Sequence, residues 1–406
     1  MVDLNQRFLN KIAFLCEQGY GRICMANKEA PQKRNDQVKW LAAFCILLLF
    51  LVSGCSIFAS GEVDTFTPKS PSELLYSENS GLSQPSTIGT TTITSTPTPT
   101  STPTPTPTAK EIVVSFLGDC TLGQNKDLGN AEYSFSNTIG TNYAYPFINA
   151  FDVLGTDDLT LANLEGPLTE STGFRDKEIV FKGSPDYVEI LSLGSVEAVN
   201  LANNHAYDYW DAGLADTKEV LEDAGILWSD NTTYSIYEVD GVKIGMAGFT
   251  FPWQLEPIYK AIDSLRADGC EIVIISIHTG VERMYEPESV AVNMAHDIID
   301  YGADIYVGHH PHRLQPIEYY NGKYILYSLS NFVFGGQPWL TDPDTAIVQC
   351  TFTVDLGELI DCRLNVIPYS MTTTFPGNDY CPTPYAPGSD DYYEVLEKLR
   401  WSESPE

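Results

Sequence analysis

The sequence predicts an α/β protein: a mixed sheet, or a sandwich of two sheets, with helices on the outside. Three observations predict it. Short β-rich apolar runs alternate with stretches of helical periodicity. Pairs of such runs flank Asp240-Gly241, Asn321-Gly322 and Asp355-Leu356-Gly357, residues that tight hairpin turns use. Five of the six histidines also fall at or just beyond the ends of apolar runs, where active-site groups of open α/β sheets collect.

In chain order, the first segment is an export signal. Lys28, Lys33, Arg34 and Lys39 precede the apolar run 40–52, then Ser53-Gly54-Cys55. A basic region, a short apolar core and small residues make a secretory signal. The run falls short of the roughly 20 residues that a membrane span needs. Val52-Ser53-Gly54-Cys55 resembles the bacterial lipobox, so residues 1–55 are expected to be a signal peptide whose Cys55 is lipidated. An uncleaved anchor over 40–58 is the alternative. Either way the membrane is an expected partner, through a lipid or an anchor, and the domain lies extracytoplasmically. Residues 56–108 are rich in Ser, Thr and Pro, with Thr and Pro alternating from 96 to 108. Such a tract cannot bury a core and serves as an extended linker.

The folded domain is expected over 109–370, with 371–406 as a C-terminal tail. Residues 111–117 read as a strand ending at Gly118-Asp119, 159–163 as a second, and 196–201 as a third ending in Asn203-Asn204-His205. A helix over 211–224 stops at Gly225. Strands 234–239 and 243–249 form a hairpin, and a helix over 258–268 stops at Gly269. Strand 272–277 delivers His278, a helix over 287–301 ends at Gly302, and strand 304–307 delivers Gly308-His309-His310-Pro311-His312. The hairpins 314–319/324–329 and 346–354/359–367 complete the domain. Cys350 and Cys362 flank the last turn and are placed for a cross-strand disulfide. No C-x-x-C spacing suggests zinc. The net charge of −31 argues against nucleic acid as a partner.

Several polar residues at strand ends are of ligand or acid–base type. They are Asp119, Glu165, Asn203-Asn204-His205, His278 with Glu282, and His309, His310 and His312. Mixed carboxylate, amide and imidazole donors suit Mn, Fe, Zn or Mg. Two such ions about 3.5–4 Å apart activate water and clamp a phosphoryl group. Each residue also has a plainer reading. Asp119 could cap a turn, Glu165 could sit exposed in one, and Asn203 or Asn204 could satisfy loop backbone. His278 could be a hydrogen-bonded core histidine, Glu282 could neutralise Arg283, and one of the clustered histidines could stand behind the ligands. His296, inside a helix, reads as structural.

The order of Leu117-Gly118-Asp119, Ala162-Asn163-Leu164-Glu165-Gly166-Pro167-Leu168-Thr169, Leu201-Ala202-Asn203-Asn204-His205-Ala206-Tyr207-Asp208, His278-Thr279-Gly280-Val281-Glu282, Gly302-Ala303-Asp304 through His312, and Tyr327-Ser328-Leu329-Ser330-Asn331-Phe332 resembles the bacterial CapA family, named for poly-γ-glutamate capsule synthesis. The resemblance covers about 110–370. It implies a metallophosphatase-like fold, a four-layer sandwich of two mixed β-sheets flanked by helices. Asn204-His205 resembles the Gly-Asn-His of calcineurin-like phosphoesterases, which implies a metal ligand at Asn204 and a general acid at His205. His278 resembles the lone ligand histidine that follows, and 308–312 the final Gly-His-x-His, with the register of His309 and His310 left open. Asp119 matches the first-strand carboxylate. The chain departs from that pattern where Asp-x-His becomes Asp119-Cys120-Thr121, and where the bridging Asp is absent with Glu165 nearby. Thr279, Trp210 and Ser330 also replace residues usual in CapA.

The expected metal ligands are therefore Asp119, Glu165, Asn204, His278, His310 and His312 for a divalent ion. His205 and Glu282 are the acid–base candidates, and Asn203 and His309 further members of the site. The resemblance implies a surface-anchored protein in synthesis, export or anchoring of an anionic polymer, with that polymer or its machinery as partner. A non-catalytic polymer-binding scaffold on the same fold is the alternative. A hydrolase of small phosphate esters is a third.

Overall fold

The computed structural model describes residues 109–402 except Asn130 and Trp253; the expected signal and linker lie outside the described residues. The chain begins with β1 (Lys110–Thr121), β2 (Gln124–Asn125), α1 (Phe135–Ile139), α2 (Phe151–Leu154), β3 (Leu159–Leu164), β4 (Phe181–Lys182), α3 (Val188–Leu193), β5 (Ala198–Asn200), α4 (Trp210–Ala224) and β6 (Leu227–Ser229). It continues with β7 (Tyr234–Val239), β8 (Val242–Thr250), α5 (Glu256–Ala267), β9 (Ile272–His278), α6 (Ser289–Tyr301), β10 (Ile305–His309), β11 (Leu314–Tyr320) and β12 (Lys323–Leu329). It then returns through β13 (Asn331–Phe334), β14 (Asp344–Asp355), β15 (Glu358–Ser370) and β16 (Thr383–Pro384) to α7 (Asp390–Lys398).

Two large sheets result. The eight-stranded sheet runs β16-β15-β14-β1-β3-β5-β6, with β13 also on β1; the six-stranded sheet runs β11-β12-β10-β9-β8-β7. Their centres are parallel, β1-β3-β5-β6 in one and β8-β9-β10-β12 in the other. Parallel neighbours need crossovers, several of which carry helices, α3, α4, α5 and α6 among them. The antiparallel edges come from hairpins. Asp240-Gly241 and Asn321-Gly322 both hold positive φ at both turn residues, 52° and 70° in one and 48° and 79° in the other, as a type I′ turn requires.

Side-chain alternation along the strands separates the layers. Ile112, Val114 and Phe116 of β1 meet Ile244, Met246, Ile274 and Ile305 between the sheets. Leu117, Ala162 and Val199 turn the other way and pack with Leu191 of α3 and Leu214 and Leu221 of α4. Val273, Ile275 and Ile277 pack with Ile258, Ile262 and Leu265 of α5 and Ile298 of α6. The order helix, sheet, sheet, helix is the expected four-layer metallophosphatase-like sandwich. Among the described residues no helix is long and apolar enough to cross a membrane.

The structure differs from the sequence reading beyond residue 370. The expected tail instead contributes β16 and α7. Ser389 caps α7 by accepting from the Tyr392 N–H, and Asp390 and Asp391 suit its N-terminal turn. Val395, Leu396 and Leu399 are buried in the layer between the sheets. The Leu399 carbonyl accepts from the Ile317 N–H of β11 at 2.8 Å. Cys350 and Cys362 form the expected disulfide across β14 and β15, with Cα atoms 6.3 Å apart.

Candidate metal centre

The site lies where several parallel strands end together. Asp119 pairs with Asn163 and Asn163 with Asn200; in the other sheet Thr250 pairs with His278 and His278 with His309. A register shift in β1 just before Asp119 is the kind of bulge that re-aims a side chain. Gly118 permits it, because a Cβ there would run into the Ser330 carbonyl, which accepts the Asp119 N–H at 2.9 Å. His310 and His312 hold φ of 99° and 51°, left-handed values that non-glycine residues keep only where the surroundings fix them.

Asp119 is wholly buried at the base of the site. Its Oδ1 accepts from Asn163 Nδ2 at 2.8 Å and its Oδ2 from the His310 N–H at 3.2 Å. His309 Nδ1 lies 3.2 Å from Oδ1 and His312 Nδ1 3.3 Å from Oδ2. Glu165 is also fully buried, yet neither carboxylate oxygen has a hydrogen-bond partner. Around its Oε1 stand His278 Nε2 at 3.7 Å, His312 Nε2 at 3.9 Å and His205 Nε2 at 4.0 Å. His278 Nε2 in turn meets Asn204 Oδ1 at 2.8 Å and His310 Nδ1 at 3.1 Å.

These residues fit a divalent cation. A buried carboxylate without a hydrogen bond costs free energy that a cation would offset. Two donors each about 2.1 Å from one ion lie up to about 4 Å apart, the spacing found around Glu165. Ligand atoms of Glu165, His278 and His310 lie within 4.8 Å of one another, and so do those of Asp119, Glu165 and His312. Glu165 belongs to both groups and stands where a bridging ligand would. Glu282, His310 and His312 form a third such group.

The charges bear out the strain of these packed groups. Burial pushes the Glu165 carboxyl up to about 8, against the pull of His312. Burial would raise Asp119 as well, but His309 and His312 outweigh it and hold that carboxyl well below the usual range. Burial lowers His278 well below an ordinary imidazole and brings His310 to about 4. His312 resists the same burial, because Glu165 and Asp119 face it, and rises to about 9.

His205 stands beside this group on the loop after β5. Its Nδ1 lies 2.7 Å from Asp208 Oδ2, and its ring packs against Phe181, tilted by 32° with centroids 4.2 Å apart. Burial lowers its pKa while Asp208 opposes the shift. A carboxylate on Nδ1 fixes the tautomer and leaves Nε2 facing Glu165. Lys177 Nζ pairs with Asp208 Oδ1 at 2.5 Å.

The remaining candidates divide. Asn204 presents its oxygen to His278, whereas Asn203 is spent on the loop, donating to the Leu164 carbonyl at 2.8 Å and accepting from the His205 N–H at 3.1 Å. His310 and His312 reach the Glu165 groups. His309 instead packs against Asp119 with neither ring nitrogen in an aligned hydrogen bond. Glu282 is exposed and forms no ion pair with Arg283 among the described residues. His296 lies 3.1 Å from Glu318 and stacks on Tyr320, away from the site. Cys120 faces the outer core, and the Thr121 hydroxyl is buried without a partner. Sequence reasoning missed three residues that hold the site. Asn163 contacts Asp119, His278 and Asn200; Asp208 orients His205; and Asn331 Oδ1 lies 2.8 Å from His312 Nδ1. All three stood inside quoted motifs, and their polar side chains next to ligand residues were the available signal.

Residues 113–336 match the family described as bacterial capsule synthesis protein PGA_cap. A PGA biosynthesis protein CapA of Bacillus subtilis is 33% identical over 261 residues, covering 58% of this chain and 66% of that protein. A probable polyglutamine synthesis accessory protein of Mycobacterium tuberculosis is 29% identical, covering 47% and 60%. The chain thus spans just under two thirds of these relatives' length. Among solved structures, a hypothetical protein of Thermus thermophilus has a TM-score of 0.41 at 15% identity, covering 63% of this chain and 99% of that one. A putative 5′-nucleotidase of Staphylococcus aureus has a TM-score of 0.40 at 13% identity, covering 72% and 58%. With more than half of its residues matched by the family pattern, the chain belongs to the PGA_cap family of bacterial capsule synthesis proteins.

Proposed function

We propose that this protein acts in the synthesis, export or anchoring of an anionic cell-surface polymer of the poly-γ-glutamate type, through metal-dependent hydrolysis or transfer. Family membership supports the pathway. The observation that carries the chemistry is the buried Glu165 carboxylate, bare of hydrogen bonds and ringed by imidazoles. Asp119, Glu165, Asn204, His278, His310 and His312 would hold the cation, Mn, Fe, Zn or Mg. Such an ion supplies Lewis acidity and an activated water at neutral pH. The chain's own residues do the rest. Asp208 orients the His205 ring through Nδ1, so that Nε2 can move a proton to a leaving oxygen. Asn163 fixes Asp119 and His278 from behind, and Asn331 fixes His312.

A second reading, a scaffold that binds polymer without turnover, rests on the first strand, where Thr121 stands in place of the expected histidine. The full-length protein tests the two, assayed on polymer and on a phosphodiester after reconstitution with each metal. The enzymatic reading expects turnover that His278→Ala removes in a folded protein. The scaffold expects none, with biological output unchanged by that substitution. Hydrolysis of small phosphate esters is the weaker third reading, since a chain of net charge −31 has no general attraction for a small anion.

We further propose that residues 1–55 are a lipoprotein signal and that Cys55 is acylated. Residues 56–108 would then hold the domain away from the membrane on its outer side.

A further inference from the structure

Among the described residues, Lys218, Arg266, Lys323, Arg363, Lys398 and Arg400 each meet a carboxylate, whereas Arg175 and Lys260 meet none. Arg283 meets none either. Its guanidinium has no ion pair or hydrogen bond among the described residues, although it lines the cleft that also holds His205, His312, Glu282 and Arg313. What sets Arg283 apart from Arg175 and Lys260 is its place: it lines the cleft of the candidate metal centre, and they do not.

The backbone points the same way. Arg283 holds φ at 67°, a left-handed conformation that favours glycine. Its N–H donates to the Pro311 carbonyl at 2.7 Å, tying its loop to the segment between His310 and His312. A strained residue persists where its neighbours over-determine it, and here the tie holds the Arg283 backbone against the histidine loop. Arg313 lies on the same cleft, mostly buried. It donates to the His312 carbonyl and to Thr341 Oγ1, both at 2.6 Å. Its Nε is 3.9 Å from Asp342 Oδ2, and Asp342 is already held by Lys398 at 3.2 Å and by the Tyr285 hydroxyl at 2.7 Å. Glu282 and Asp342 are the acidic members of this cleft; Asp342 is held as above, and Glu282 shares a ligand group with His310 and His312, where a cation would neutralise it.

We infer that Arg283, backed by Arg313, forms an oxyanion subsite next to the metal centre, which sets specificity by anchoring an anionic group of the substrate beside the reacting bond. A guanidinium suits either source of that group, because its planar fork accommodates a carboxylate or a phosphoryl oxygen pair. The inference rests on the proposed polymer reading, in which the anchored group is a side-chain carboxylate of the neighbouring unit.

Calorimetric titration of the full-length, detergent-solubilised, metal-loaded protein with a short glutamate oligomer and, separately, with inorganic phosphate tests it. Arg283→Ala should weaken the bound oxyanion at least tenfold with metal content unchanged, and Arg283→Lys should recover part of the loss. Arg283→Gly, which relieves the left-handed backbone and so keeps the loop folded, should lose as much as the alanine variant. Loss of oligomer affinity supports the subsite and the polymer reading together. Loss of phosphate affinity in a protein that never binds the oligomer supports the subsite and defeats the polymer reading. Wild-type oligomer binding that all three variants retain overturns the subsite and leaves the polymer reading standing.

Discussion

At the scale of single residues, Glu165 and His312 define the state of the metal-free site. Burial brings Glu165 up to about 8, and the facing carboxylates bring His312 up to about 9. Both folded-state values exceed the ordinary ones, so the folded protein holds protons that the unfolded chain has released. His312 contributes stability that is complete below about 6.5 and is lost as pH rises through about 9. The raised Glu165 acts in the same sense: its contribution is complete below about 4.5 and is lost as pH rises through about 8. By linkage, the metal-free protein should lose thermal stability between pH 6.5 and 9. A bound divalent ion should flatten that slope, because it takes the place of the protons. Melting curves with and without chelator across this range check the expectation. A metal-free midpoint that rises with pH would contradict it.

At the scale of elements, the strands that carry ligands were legible because their chemistry and their periodicity coincide. The runs ending at Asp119, His278 and His309 are apolar, β-branched and closed by polar residues, so pattern and site announced each other. The hairpins at Asp240-Gly241 and Asn321-Gly322 were legible from turn residues alone. Pairings such as β13 on β1 were not, since only Asn331-Phe332-Val333-Phe334 marks that strand and its neighbour lies some 210 residues away. The same limit hid α3, six residues long, and α7, whose nine residues carry too few apolar positions to stand out. The roles of Asn163, Asp208 and Asn331 depend on which side chains meet across strands, and periodicity does not encode that. α7 gives the element-scale expectation. Val395, Leu396 and Leu399 are buried between the sheets, and burying each such side chain is worth about 1.5–3 kcal/mol. Ending the chain after residue 389 should therefore cost about 5 kcal/mol, read as a shift in a urea midpoint. An unchanged midpoint would show that the helix adds nothing to the core.

At the scale of the whole molecule, the expected arrangement is a lipid anchor, a stiff linker and a strongly acidic domain. Cys55→Ala should abolish labelling by a radioactive fatty acid and release the protein from membranes, or leave an uncleaved precursor there without label. A labelled variant would place the acyl group elsewhere. The domain joins two halves of a site that neither sheet holds alone: Asp119, Glu165 and His205 come from the first, and His278, His310 and His312 from the second. Glu165 stands between them, and its bare oxygens make sense if a cation occupies the gap. The most direct test is elemental analysis of the full-length protein and its Glu165→Gln variant, each incubated with Mn, Fe, Zn or Mg and then freed of excess ion. Retention of at least one divalent ion per wild-type chain, lost in a folded Glu165→Gln variant, is the expected result. A wild-type protein that retains none of the four, or a variant that binds as well as wild type, would contradict the metal centre described above.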